Sequence, residues 1–339
     1  MTTINNMQNA YFELTTRTIY EAMQQLGLPI DEPDKLISRL KRLDFGLPAE
    51  DEFAAIVNWI GKCELIHKLD QAQVPLESKN YYRVPDFIAF FRYKESIVPV
   101  LIEVKTTKTK RLSWKPEFYN GLVRYAKKLR LPLLIAWKYK PFNIWTLFEC
   151  KHLAKRLKNF SMDFGPAMKQ TLMSQLVGDF SVVFKPNIGL HFVLRKNYRI
   201  STSTDETKAE LWQMTIEDAY FTASDGARIT ELGTGLWALL LCAPLEENTD
   251  QIDNARVRLS FTIAEKMQGE WAHRMLPTLV RLNLNKEHDI NWRHVLYGRN
   301  LPIKFDLLKE AIFNDATKGI IEYTLEAQPH TKPAFLHDD

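Results

Sequence analysis

Read as a pattern of apolar and polar positions, the chain opens with helical periodicity. Ile19, Met23 and Leu26 predict a helix over 10–28, and Leu36, Ile37, Leu40 and Leu43 a second over 33–45, with Pro29 and Pro33 between them. A third is predicted after Pro48. There Phe53, Ile56, Val57 and Ile60 form one stripe, and Glu50, Asp51 and Glu52 put negative charge in the first turn, where the helix dipole favours it. The period then shortens: 81–91 (YYRVPDFIAFF) and 96–106 (SIVPVLIEVKT) read as the two strands of a hairpin. A helical pattern follows over 116–130, and the apolar runs 132–137 and 143–149 are each short enough for a buried strand. Helix, strands, helix, strands is the order of an α/β domain.

After Lys158 the pattern changes, and SMDFGP (161–166) reads as a joint. The expected organisation is an N-terminal helical region (1–45), a central domain (46–160) and a C-terminal domain (161–339). In the last, 179–196 suggest two strands around Pro186, Asn187 and Gly189, and the polar run 201–207 a loop. Helices are predicted at 232–241, 263–282 and 305–313, so this domain is expected to be mainly helical α+β.

Composition narrows the class. With 45% hydrophobic and 12% aromatic residues the chain must fold to work. Its apolar stretch 235–244 falls short of the roughly 20 residues that cross a bilayer, and the N-terminus lacks the basic start and apolar core of a signal. A cytoplasmic protein without a membrane partner is expected. Cys63, Cys150 and Cys242 are too far apart for a C-x-x-C pair, which argues for reduced thiols rather than structural zinc or a disulfide.

Charge is unevenly spread. A net +4 resolves into −4 over 1–91, +13 over 92–158, +3 over 159–200 and −8 over 201–339. A segment so basic, interleaved with Trp114, Tyr119, Tyr125, Trp137, Tyr139 and Trp145, suits a polyanion such as DNA. Its competing reading is a solvated basic face.

Chemistry lies in the same segment. Asp86 in VPDFIAFF, and Glu103 and Lys105 in VLIEVK, interrupt runs that are otherwise apolar. Alternation along a strand sends Glu103 and Lys105 to one side and Val104 to the other, and a hairpin partner can bring Asp86 beside them. Two carboxylates at metal-ligand separation repel unless a cation intervenes, and oxygen donors suit Mg²⁺, with Mn²⁺ able to substitute.

Pro85-Asp86 followed by Glu103-Val104-Lys105 resembles the PD-(D/E)xK nuclease superfamily, the restriction-endonuclease-like fold that includes Holliday-junction resolvases and transposon-end nucleases. The resemblance spans about 48–150 and implies a mixed central sheet flanked by helices. It implies that Asp86 and Glu103 bind the metal, that Val104 lends its backbone carbonyl, and that Lys105 acts on the attacking water. An acidic residue of the preceding helix often joins them; Glu52 is the first choice for that role and Glu50 the second. Several branches carry a Gln on the following helix one turn before an aromatic residue, whereas here Gly121 stands one turn before Tyr125.

Lys108, Lys110, Arg111, Lys115, Arg124, Lys127 and Lys128 are the candidates for phosphate contact, and Thr106 and Thr107 could also reach a phosphate. None can be assigned to a base edge. His273, His288, His294, His330 and His337 show no zinc-helix spacing, and Gly233 and Gly235 lack the Lys of a phosphate loop. Arg293, His294, Arg299 and Lys304 form a weaker basic group. The leading expectation is an Mg²⁺-dependent deoxyribonuclease, an endonuclease in mobile-element processing, restriction or defence, or junction cleavage. Its C-terminal domain would bind a protein partner, form a homodimer, or cover the basic face. The alternative is a DNA-binding or assembly protein that keeps the nuclease fold while its cleavage is lost or depends on a partner.

Overall fold

The computed structural model of the chain describes residues 48–70, 75–201, 211–229, 232–264, 269–284, 290–297, 303–314 and 319–336. The helices expected over 10–28 and 33–45, and nearly all of the loop expected at 201–207, lie outside this set. Among the described residues no helix is long and apolar enough to cross a membrane.

The central domain begins with α1 (Pro48–Ile60), β1 (Cys63–Lys68), β2 (Phe87–Tyr93), β3 (Ser96–Thr107) and β4 (Arg111–Trp114). It continues through α2 (Pro116–Leu129), β5 (Leu133–Tyr139), β6 (Ile144–Glu149), β7 (Ala154–Arg156) and β8 (Asn159–Asp163). The order β1-β2-β3-β5-β6 makes a mixed sheet, in which only β3 and β5 run parallel, joined by the crossover through α2. Helices flank it, as expected. Both faces are covered, which is why β3 reads as apolar almost throughout. Ile102 and Val104 pack with Phe53, Ile56 and Val57 of α1, whereas Leu101, Ile135 and Trp137 pack with Leu122 and Ala126 of α2. A small sheet, β4-β8-β7, lies against α2, with the Tyr119 and Phe160 rings stacked 3.8 Å apart.

Two backbone positions stand out. Gly121 of α2 faces the segment leading to Asp86, and a Cβ there would sit 2.6 Å from Arg83 Cγ. The β7–β8 register pairs Arg156 with Asn159, leaving Leu157 and Lys158 as a two-residue loop in which Leu157 has φ 54°. A left-handed conformation costs a non-glycine residue about 1–2 kcal/mol.

The stretch 161–166 is not a slack connection: Ser161, Met162 and Asp163 end β8, Met162 is buried, and a short helix starts at Phe164. Beyond it the chain forms β9 (Ser181–Phe184), β10 (Gly189–Ser201), β11 (Leu211–Thr222) and β12 (Arg228–Ile229). After a helix at Thr234–Cys242 come β13 (Leu245–Gln251), β14 (Arg256–Ile263), β15 (Gly269–Trp271), α3 (Ala272–Leu284), α4 (Phe305–Phe313) and β16 (Ile321–Leu325). This part is α+β with a larger share of sheet than the sequence suggested. It holds an antiparallel β12-β11-β10-β14-β13 sheet and a smaller β15-β9-β16 sheet. β13 is exposed at every residue, so ladder bonds to β14 rather than burial hold it and no apolar alternation marks it. The helix expected to start at Ile263 starts at Ala272, because Ile263 closes β14.

One buried apolar cluster runs from α1 into α3 and α4 and takes in Phe53, Trp59, Leu276, Leu279, Phe305 and Leu308. The Trp59 ring lies 4.6 Å from that of Phe305, and its Nε1 donates to the Ile303 carbonyl at 2.9 Å. Fully buried His273 of α3 receives a backbone N–H from Trp145 of β6 at Nε2, 3.2 Å, and pairs through Nδ1 with Asp179 at 2.7 Å.

Candidate active site

The β2–β3 register sets the site. Phe87 pairs with Ile102, so Asp86, one step before β2, falls across from Glu103 and on the same face of the sheet. Pro85 fixes the approach, and the Asp86 carbonyl accepts the Leu69 N–H at 2.9 Å. The Asp86 carboxylate in turn accepts the Val104 N–H at 2.7 Å. Glu103 accepts a hydrogen bond from the Lys105 ammonium, which is also placed over the Phe118 ring of α2 at 5.3 Å. Asp86, Glu103, Lys105 and Val104 are therefore brought together.

Both acids are buried, 5% and 3% exposed, whereas the Lys105 side chain is 33% exposed and keeps a path to solvent. Burial pushes the Asp86 carboxyl up to about 6, with the charge of Glu50 adding to the rise and Lys105 and the Val104 N–H opposing it. Burial likewise pushes Glu103 up to about 7, helped by the charge of Asp86 and opposed by Lys105. The site is short of positive charge.

The helix acid is where sequence and structure part. Residues two apart on a helix point roughly 200° from each other, so Glu50 and Glu52 cannot serve one site. Glu52 turns away from the pair: both its oxygens accept from the Lys138 ammonium, at 2.6 and 2.7 Å, and Trp145 Nε1 donates to it at 3.3 Å. Glu50 is the acid whose charge reaches Asp86 and Glu103. Its own counter-charge is Lys68, 2.6 Å away. The signal was helical phase, since Glu50 and Glu52 leave the Phe53–Ile56–Ile60 stripe on different sides.

Do these residues fit a divalent ion? Among the described residues, no cluster of three His, Cys, Asp or Glu side chains forms a complete cage. The donors are one close pair of buried, electron-rich carboxylates with a third acid nearby. That is the kind of set that holds Mg²⁺, which binds through one or two carboxylates and keeps several waters. They fit.

The basic candidates separate by partner. Lys108, Lys110, Lys115, Lys127 and Lys128 are exposed. Arg111 and Arg156 both grip Asp163, at 2.6 and 2.8 Å, so the three together leave one positive charge. Arg124 is spent on the fold: its Nε donates to the Tyr81 carbonyl at 2.7 Å and its guanidinium lies 4.1 Å from the Tyr81 ring centroid. Thr107 accepts the Trp137 Nε1–H at 3.0 Å. Past the ends of β3 and β5 a cavity of about 350 Å³ opens between Lys110, Arg111 and the rings of Tyr139, Phe142 and Phe164. Arg293 pairs with Asp51, the neighbour of Glu50 on α1, at 3.4 Å. His288, Arg299 and His337, and the side chain of His294, lie outside the described residues. Cys150 and Cys242 are buried, Cys63 partly so, and all three are unbridged.

Comparison with known proteins follows this geometry. Residues 77–177 match the family described as archaeal Holliday junction resolvase (Hjc). No curated protein matches the chain in sequence. Among solved structures, Hjc from Archaeoglobus fulgidus, a Holliday junction resolvase from an archaeal hyperthermophile, is 24% identical, with 30% of this chain and 74% of that chain covered and a TM-score of 0.24. The Hjc resolvases are a branch of the PD-(D/E)xK superfamily, so over 77–177 the chain carries that superfamily's resemblance, and Asp86, Glu103 and Lys105 all fall inside the matched segment.

Proposed function

We propose that this protein is a divalent-metal-dependent DNA endonuclease whose preferred substrate is branched DNA of the Holliday-junction type. The observation that carries the reading is the meeting of Asp86, Glu103 and Lys105 on one face of the central sheet, beside an exposed run of lysines. The match of 77–177 to junction resolvases favours junction cleavage over restriction or mobile-element processing.

Asp86, Glu103 and the Val104 carbonyl would hold Mg²⁺, with Glu50 rather than Glu52 as the helix acid. When bound, the ion offsets charge developing on the scissile phosphate and makes a water more acidic. Lys105 does the chain's part of the chemistry. Its ammonium, held by Glu103 over the Phe118 ring on a side chain one-third exposed, would orient the attacking water and donate to a phosphate oxygen as negative charge builds. Asp86, fixed by the Val104 N–H, keeps its orientation without substrate. Lys108, Lys110, Lys115, Lys127 and Lys128 hold the DNA backbone, a sequence-independent role. The part after residue 160 supplies assembly or targeting.

The test is cleavage of supercoiled, linear, single-stranded and four-way-junction DNA with and without Mg²⁺. Wild type should cut only with the ion and prefer the junction. Asp86→Asn and Lys105→Ala should each lose at least about a hundredfold in rate while still binding. Cutting that both substitutions retain refutes the site. Metal-independent binding without any cutting favours the assembly reading instead.

A further inference from the structure

The tip of the β7–β8 hairpin holds a residue that does nothing for the fold. Leu157 is 99% exposed, more than any other large hydrophobic among the described residues. Its position, the first of a two-residue hairpin loop, requires φ above zero and is ordinarily filled by glycine or asparagine. A bulky side chain there is an outlier twice over, in backbone conformation and in solvation. The corresponding loop of β2–β3 shows the ordinary solution. There Lys94 takes φ 52°, but its side chain is polar and its ammonium sits 5.9 Å from the Tyr93 ring.

The surroundings say what Leu157 meets. Lys155 and Lys158 flank it and are exposed, with Arg156 beside them paired to Asp163, which favours a polyanion over an apolar protein face. The hairpin is also connected to the site through packed rings and paired strands. From Lys105 the path runs to the Phe118 ring at 5.3 Å, from Phe118 to the Trp114 ring at 5.1 Å, and from Trp114 to its strand partner Phe160, next to the tip residue Asn159. Asn159 is tied to Ser113 at 3.2 Å, so the tip is anchored and not a loose flap.

We propose that Leu157 is an apolar wedge, which enters the base stack at the branch of a DNA junction while Lys155 and Lys158 hold the phosphates on either side. An apolar side chain inserted between bases is a known way to hold a kinked or unstacked step, and a branch point, already partly unstacked, takes it most cheaply. The wedge rests on the nuclease reading and adds to it the feature of DNA that is recognised.

The experiment uses the full chain in EDTA and a four-way junction with 2-aminopurine at the branch. Wild type should raise the fluorescence severalfold by unstacking the probe. Leu157→Asn suits the turn better than leucine, so it should melt no lower than wild type. It should lose the fluorescence rise and bind the junction about tenfold more weakly, with linear duplex unaffected. Leu157→Met should behave as wild type. In Mg²⁺, junction cutting by Leu157→Asn should fall about tenfold and linear cutting should not. An unchanged fluorescence rise and unchanged junction cutting overturn the wedge and leave the nuclease reading standing, and an equal loss on both DNAs also overturns it. A wild-type chain that neither binds nor cuts DNA overturns both readings.

Discussion

Replacing Glu103 with Gln should make the metal-free protein more stable above neutral pH, although it removes a proposed metal ligand. In the folded chain this carboxyl titrates at about 7 instead of near 4.5, chiefly because it is buried and because Asp86 faces it. The folded state therefore keeps the proton to higher pH than the unfolded one. Its advantage is complete below about pH 4.5, drains away as pH rises to about 7, and stays lost above that. A shift of two to three pH units corresponds to roughly 3 kcal/mol of strain at pH 8. Asp86 shares that strain, and the substitution gives up the bond from Lys105, so the expected net gain is about 1–2 kcal/mol. Urea unfolding followed by tryptophan fluorescence in EDTA, at pH 5 and pH 8, reads this directly. The variant should lead at pH 8 and the lead should shrink at pH 5. Adding Mg²⁺ should raise the wild-type midpoint and leave the variant's where it was. A variant less stable than wild type at pH 8 without metal would refute the reasoning, since burial of the charge would then carry no cost.

Glu52→Gln should lower stability by about 3 kcal/mol, because it leaves the largely buried Lys138 ammonium without its counter-charge, whereas Glu50→Gln should leave the melting temperature nearly unchanged and weaken the response to Mg²⁺. Thermal unfolding with a metal titration separates the two, and the opposite pattern would return the helix acid to Glu52. Gly121→Ala should cost about 1–3 kcal/mol and slow cleavage, since its Cβ would push Arg83 and with it the approach to Asp86; an unaffected enzyme would show that Arg83 simply swings aside. His273→Ala should destabilise by about 2–3 kcal/mol, read by urea unfolding, by leaving Asp179 Oδ2 and the Trp145 N–H without their partners in the core, while Asp179 Oδ1 keeps the backbone N–H of residue 273.

What was legible in the chain was what leaves a periodic trace. β2, β3, β5 and β6 are apolar and bounded by turn residues, and the acids and the amine that interrupt them stood out because a covered strand seldom carries charge. The helix acid was not legible from charge alone, as Glu50 and Glu52 sit in the same first turn and only helical phase tells them apart. Gly121 looked like a departure from a family pattern; its reason, the close passage of Arg83, is a contact between segments far apart in sequence. β13 escaped because LEENTDQ, exposed throughout, has no apolar rhythm, and the hairpin tip escaped because a leucine between Arg156 and Lys158 says nothing until the register makes it the head of a turn.

The continuous apolar cluster from α1 into α3 and α4 has a consequence for biogenesis. The helix that brings Glu50 to Asp86 and Glu103 rests on Phe305 and Leu308, which the ribosome delivers some 250 residues after it. A nascent or prematurely terminated chain would hold Asp86, Glu103, Lys105 and Glu50 and yet lack part of the apolar surface that α1 packs on. If the proposed nuclease function holds, cutting would mature only with the last stretch of translation, and unfinished polypeptides would not release it into the cell.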